Sequence, residues 1–439
     1  MKFKNCCNNG ALEEASALPP QVQRALAWHQ QDNVWKTQIY EWVLQACPEW
    51  AQQAFDLLTD PTLPQAYNDL PAFLEVYLFW HFNPNSGATI AQLYFCKIGG
   101  HGADWKEWYD AQCLSWLGIW EIRQVDPGRG VQVVDLLTQQ ERYVYERQGS
   151  RQWKPYDTVL GRVIDIGDGI SVVAGVFPIT LPPRAAEAVR QRFMEYSFPR
   201  RRKLKPADLR LGQKFADLAN CWNGALVAWY QRPQPTVVNQ DGDPMELCTD
   251  HFAFSPNSRP ELLKRLGTLG AIEDDGMQAT MTLSRAPRAQ KGIFDTVNVG
   301  TIRVQASQCQ AQANSQKRAD DLFTQIIACA GDLLEHHARD LREPRKAAVG
   351  RETPVPREVM AIVDEHVRQL RQQHMNQWLD RPVPLLSGKT PRQAVRDPKE
   401  HRELRLLLKE FAYNEARAPE TQRISLDYIH QQLGLVDGR

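Results

Sequence analysis

Apolar positions follow a helical rhythm from residue 20 to 112 and switch to strand-like alternation near Trp116. In the first stretch Val22, Leu26 and Trp28, then Trp35, Ile39, Trp42 and Val43, fall near i, i+3, i+4 spacing, with Pro19-Pro20 at the entry. Asp60-Pro61, Pro64 and Pro71 punctuate the connections. Phe73, Val76, Tyr77, Phe79 and Trp80 continue on a second helix ending at Asn83-Pro84, and Thr89 starts a third. Gly99-Gly100-His101-Gly102 then breaks the pattern. This stretch lacks the Lys-Ser/Thr of a phosphate loop and follows a helix, which makes it a turn and His101 a solvated loop residue.

Beyond Trp116 the period becomes two. Gly118 to Val125, Val131 to Leu136, Tyr143 to Glu146, Thr158 to Ile164 and Ser171 to Gly175 read as short strands, the first two joined by the strong turn Asp126-Pro127-Gly128-Arg129-Gly130. So many short strands joined by tight turns predict a small barrel or sandwich. Pro182-Pro183 opens a helix to Phe198, and an amphipathic helix runs from Leu211 to Tyr230. A hairpin turns at Asp241-Gly242; the acidic pair Asp241 and Asp243 lacks the terminal glutamate of a calcium loop. Residues 251–254, 279–283, 297–304 and 308–313 are strand candidates, and helices at 259–267 and 315–334 would cover one face of their sheet. Asn314-Ser315 caps the second of these helices, which would contain Gly331 and bring His336-His337 near its end, where a vicinal pair points two ways.

Proline-rich residues 343–357 form a linker. A helix from Arg357 to Gln373 leads to Trp378-Leu379, an extended proline segment, a turn at Ser387-Gly388, and a new helix capped by Thr390 with Pro391 at its first position. Glu403 to Tyr413 gives one more amphipathic helix. The reading is therefore an α+β multi-domain chain: a short segment at 1–15, a helical domain at 16–112, a small β-barrel at 113–182, an α+β domain at 183–343 and a C-terminal helical region at 357–439.

Composition fits this division. The 439 residues exceed what one hydrophobic core usually serves. Lys+Arg and Asp+Glu are both 52, so no net field favours DNA or anionic lipid, and a nucleic-acid role would need a local patch. The longest apolar run, 119–137, is broken by Glu121, Arg123, Asp126 and Arg129, and no apolar stretch follows Lys2 and Lys4, so neither a membrane span nor a signal peptide is expected. Nine cysteines, an odd number and mostly scattered singly, suit reduced thiols and a cytoplasmic protein.

Candidate chemistry is sparse. No nucleophile elbow, Walker loop, H-E-x-x-H or spaced carboxylate pair is present, so no catalytic residue is assigned. The densest basic run, Arg200, Arg201, Arg202, Lys203 and Lys205, bracketed by Pro199 and Pro206, is either a solvated linker or, with the small barrel, a phosphate-contacting patch. The adjacent Cys6 and Cys7 follow Lys2-Phe3-Lys4-Asn5, and this run resembles the end of the SEC-C motif, C-x-C-G-S-G-x-K-[YF]-K-x-C-[CH], which holds one zinc. The resemblance implies zinc ligation by Cys6 and Cys7. Only the second ligand pair is present, and two thiolates do not complete a tetrahedral site. Either the natural start lies upstream or the motif was truncated; zinc is expected only with the upstream half.

Three further stretches resemble uncharacterised bacterial SEC-C-associated proteins: Asp126 to Gly130 with Asp135-Leu136-Leu137-Thr138; Asn314-Ser315 with Arg318-Ala319; and Trp378-Leu379-Asp380 through Gly388-Lys389-Thr390-Pro391-Arg392. The last also resembles the toxin-binding region of Xre/MbcA/ParS-type antitoxins, without their helix-turn-helix head. That resemblance implies protein binding through Trp378, Leu379, Pro384, Gly388 and Pro391. The expected function is a non-enzymatic adaptor with an unidentified protein partner, zinc-binding in full-length form. The alternatives are nucleic-acid binding through residues 200–205 and the barrel, or an enzyme on an unfamiliar fold.

Overall fold

The protein is seen in a computed structural model that describes residues 18–59, 62, 71–82, 87–98, 104–201, 203–210, 212–232, 236–286, 296–342 and 357–435. It divides into two compact units, one of Met1–Arg232 with Asp364–Arg439 and one of Pro233–Val363.

The first unit opens with α1 (Pro20–Ala46), α2 (Pro48–Leu58), α3 (Pro71–Trp80), α4 (Ile90–Ile98) and α5 (Asp104–Leu114). Proline begins each of the first three, where its missing N–H is no loss and its fixed φ suits the first turn. Many of the tryptophans are spent here: Trp80 meets Trp108 at 5.4 Å between ring centroids, and Phe95 stacks on Trp105 at 4.8 Å. Large rings bury the most apolar area per residue, which lets short helices share one core.

β1 (Trp116–Asp126), β2 (Gly130–Asp135), β3 (Glu141–Val144), β4 (Thr158–Asp165) and β5 (Ser171–Val176) close into a barrel in the order β1-β2-β3-β5-β4. Neighbours are antiparallel except β3 and β5, which meet in parallel at Val144 and Ser171. Every residue from Trp116 to Ile122 is buried, because the barrel lumen takes one face of β1 and packed helices take the other. The β1–β2 turn needs glycine twice, for different reasons. Gly128 sits at φ +78°, whereas a Cβ on Gly130 would lie 2.3 Å from the Val144 carbonyl of the neighbouring strand. Asp135, at the end of β2, ties the barrel together. Its carboxylate accepts from Trp116 Nε1 (3.0 Å), the Ile119 and Leu137 amides (3.2 and 3.1 Å) and Thr138 Oγ1 (2.6 Å). Burial pushes the Asp135 carboxyl above its usual range against those donors.

α6 (Pro183–Ser197) and α7 (Gly212–Gln231) belong with the barrel, so the boundary expected at 183 moves to 233. Their apolar faces decide this: Val189, Phe193, Phe215, Trp222 and Leu226 join one continuous core with Phe177, Trp120 and Phe79. The C-terminal helices α10 (Arg357–Leu379), α11 (His401–Glu415) and α12 (Leu426–Leu433) keep a small core of Leu379, Leu386, Leu404, Leu408 and Ile429. They are not a separate region from Asp364 onward. Lys409 of α11 pairs with buried Glu121 of β1 at 2.9 Å, Arg184 pairs with Glu403 at 2.6 Å, and Arg417 bonds Asp157.

The second unit is a six-stranded antiparallel sheet in the order β11-β6-β10-β9-β8-β7, formed by β6 (Leu247–Ala253), β7 (Glu273–Asp274), β8 (Ala279–Arg285), β9 (Val297–Val304), β10 (Gln308–Ala313) and β11 (Glu335–Arg342). α8 (Arg259–Leu266) and α9 (Gln316–Ala330) cover one face, packing Leu262, Leu322 and Ile326 on Phe252, Ile302 and Cys309. Helix α9 stops before Gly331, so His336 and His337 are strand residues, contrary to the expected helix end. β11 pairs with β6, His336 Nε2 lies 3.0 Å from Asp250 Oδ1, and Arg339 grips both oxygens of the same carboxylate. Asp241, at the turn of the 236–246 hairpin, is clamped by Arg285 (2.5 Å) and by buried Arg318 of α9 (2.7 Å), while Ser315 caps α9.

Candidate partner-binding groove

The expected partner-binding residues separate into two groups. Leu379 is fully buried, Pro391 is buried at the first turn of a short helix, and Pro384 and Gly388 are exposed on the connection between them. These residues build a turn. Gly388 takes φ +76°, Thr390 forms a reciprocal capping box with Gln393, and Lys389 pairs with Asp397 (2.6 Å) and Glu400 (3.1 Å). The turn fixes the end of α10 over α11. Of the five, Trp378 lines a concave surface.

That surface is a groove of about 370 Å³ between α10, α11 and the segment before α12. Met375 and Trp378 line it from α10, Leu407 and Phe411 from α11, and Ile424 from the segment. The helical repeat explains the set: 371, 374, 375 and 378 fall on one face of α10, and 407, 410, 411 and 414 on one face of α11. One ion pair spans the groove. Arg371 bonds Glu415 and donates to the Gln422 carbonyl at 2.9 Å, and Glu415 accepts the Ile424 amide at 2.7 Å. These bonds hold the helices and the segment in one arrangement. The sequence named Trp378 and placed a helix over 403–413, but no local pattern marked Arg371, Glu410, Phe411 or Ile424 as sharing a surface with it.

The basic run is mostly on the surface. Arg200 and Lys203 are exposed; Arg201 bonds Asp208 and lies over the Phe198 ring; Lys205 caps a one-turn helix and its amide donates to Asp208 at 2.9 Å. Asp208 is held below its usual range, first by that amide and then by Arg201. Arg202, Cys6 and Cys7 lie outside the described residues, as does the Gly99 to Gly102 turn.

Buried polar and charged groups also gather inside the first unit. Asp32 accepts from Trp108 Nε1 (3.0 Å) and Gln112 Nε2 (2.7 Å) and pairs with Lys36 at 2.5 Å. Buried Arg162 donates to Gln112 Oε1 (2.9 Å) and the Gln112 carbonyl (2.6 Å), capping the end of α5. Burial lowers Arg162 to about 9, with Asp32 opposing. Beside it His81 stacks on Phe215 with neither ring nitrogen bonded, and burial followed by the Arg162 charge holds it neutral, well below the usual imidazole range. The network braces the helices against the barrel.

Among the described residues, no group of three or more His, Cys, Asp or Glu side chains is placed to hold a metal ion, and no helix is long and apolar enough to cross a membrane. No protein family, curated protein or solved structure matches the chain.

Proposed function

We propose that this protein is a non-enzymatic adaptor whose C-terminal groove docks a segment of a partner protein. The observation that carries the reading is the groove itself: a concavity of about 370 Å³ lined by Met375, Trp378, Leu407, Phe411 and Ile424 on packed helices. Binding sites for small ligands and peptide anchors are of this kind, mostly apolar with a few fixed polar groups. Aromatic side chains supply large apolar contact area, and the flexible methionine adapts its shape to an irregular partner surface. Because α10 and α11 are already held by the Arg371–Glu415 pair, little order remains to be imposed on binding.

Random-peptide display on the full-length protein tests this. Peptides enriched on the wild type should be lost on Trp378→Ala, with circular dichroism showing that the variant is folded. Absence of enrichment, or enrichment that survives the substitution, overturns the reading. Zinc ligation by Cys6 and Cys7 enters the proposal only for a reading frame that supplies the other two ligands. In-frame codons for Cys-x-Cys-Gly-Ser-Gly upstream of Met1 would support it, and a stop codon there would remove it.

A further inference from the structure

We infer that the segment docked in the groove carries a lysine or arginine beside its apolar anchor, and that Glu410 receives it; this rests on the adaptor reading above. Three charged side chains line the groove, Arg371, Glu410 and Glu415. Arg371 and Glu415 cancel each other, and both also bond the backbone of residues 422–424. Glu410 has no such partner. Its Oε1 accepts the Arg184 backbone amide at 2.6 Å, and among the described residues no cationic side chain pairs with it and no donor reaches Oε2. The groove therefore presents one uncompensated carboxylate beside two aromatic side chains.

That combination selects a cation with an apolar stem. Trp378 and Phe411 line the groove, and aromatic rings attract ammonium and guanidinium groups, while the carboxylate adds Coulombic attraction in surroundings less polar than water. Met375 and Leu407 give the methylene stem of a lysine or arginine apolar surface to lie along. An acidic side chain in the same place would face Glu410 directly, so the groove rejects acidic segments as well as accepting basic ones. The occupant is thus an amphipathic segment with a large apolar residue and a basic residue side by side.

The same display selection tests this, followed by titration of a labelled peptide of the enriched sequence into full-length protein. Enriched peptides should pair a large apolar residue with Lys or Arg at fixed spacing. Glu410→Gln keeps an oxygen for the Arg184 amide and removes only the charge, so it should weaken that peptide about fivefold, the scale of a partly exposed ion pair. A matched peptide with norleucine for its basic residue should bind wild type and Glu410→Gln equally, closing a double-mutant cycle. Peptides that depend on Trp378 but show no basic residue, or an unchanged affinity in Glu410→Gln, overturn the inference and leave the adaptor reading standing. If no peptide is enriched, or enrichment ignores Trp378→Ala, the adaptor reading falls and this inference with it.

Discussion

Replacing Asp241 with asparagine should destabilise the second unit by about 2.5 kcal/mol and leave the barrel unaffected. Asp241 is 5% exposed, and its carboxylate is shared by Arg285 at 2.5 Å and Arg318 at 2.7 Å. The Arg285 bond, with Arg318 adding to it against the cost of burial, lowers its carboxyl from 3.8 to about 2. At about 1.4 kcal/mol for each tenfold change in proton affinity, that difference corresponds to about 2.5 kcal/mol of folding free energy. Because the folded pKa is the depressed one, this stability is fully present above pH 3.8 and is lost as pH falls through about 2. Asparagine keeps an acceptor but strands the Arg318 guanidinium, 4% exposed, without its counter-charge, and breaking a buried pair costs about 3 kcal/mol. The two routes agree. Hydrogen exchange with peptide-level readout is the suitable assay, since a chain of two units need not unfold in one step. The slowest amides of β6, β9 and β10 should exchange roughly 70-fold faster at neutral pH, while those of β1 and β4 stay unchanged. Slow amides of the sheet moving by less than about threefold would refute the claim that this clamp carries the stability, as would equal acceleration in the barrel.

The remaining predictions concern the first unit. His81 is buried neutral, so the unfolded chain takes up a proton below pH 6.5 that the folded protein refuses, and stability should fall there by about 1.4 kcal/mol per pH unit until the lowered folded pKa is reached. His81→Phe keeps a ring against Phe215 and should flatten that acid slope in chemical denaturation; an unchanged slope assigns it to another group. Gly130→Ala should cost about 1–3 kcal/mol, because the new methyl meets a backbone carbonyl that cannot rotate away; a melting temperature equal to wild type would contradict the strand spacing. Leu379→Ala should cost about 3 kcal/mol by emptying a fully buried position, and should also reduce peptide enrichment by loosening α10 beneath the groove; a variant destabilised but binding normally would separate the turn from the groove.

Much of the fold was legible because period and punctuation agreed. The barrel strands alternate between strong turn residues, Ser315 and Thr390 cap helices where their hydroxyls predict, and the β1–β2 turn falls on Asp126 to Gly130. The misses have physical causes. α6 and α7 carry ordinary amphipathic patterns that do not say which core they cover; only the convergence of Phe193, Phe215 and Trp222 with Phe177 assigns them to the barrel. His336 and His337 looked like a helix end because nothing local to Gly331 distinguishes an interior glycine from a helix stop. The ladder with distant β6 fixes the strand, and the bond from His336 to Asp250, 86 residues away, adds to it.

The three stretches whose pattern looked familiar turn out to hold joints of the fold. Asp135 gathers donors from two parts of the barrel, Arg318 grips the hairpin at Asp241, and the Gly388 to Pro391 turn locks α10 to α11. Each joint imposes specific residue types at specific spacing, which makes it visible in a sequence without making it a site. The groove is the opposite case. Glu410 is one polar position among several on an amphipathic helix, and its spacing from Glu403, Lys409 and Glu415 suggests only a solvated face. Packing assigns the roles: Glu403 goes to Arg184, Lys409 to Glu121 and Glu415 to Arg371. Glu410 is left with a backbone amide at the edge of an aromatic hollow. Motif reasoning finds residues whose partners are near in sequence, whereas a binding surface is made by charges whose partners lie elsewhere in the fold, or in another molecule.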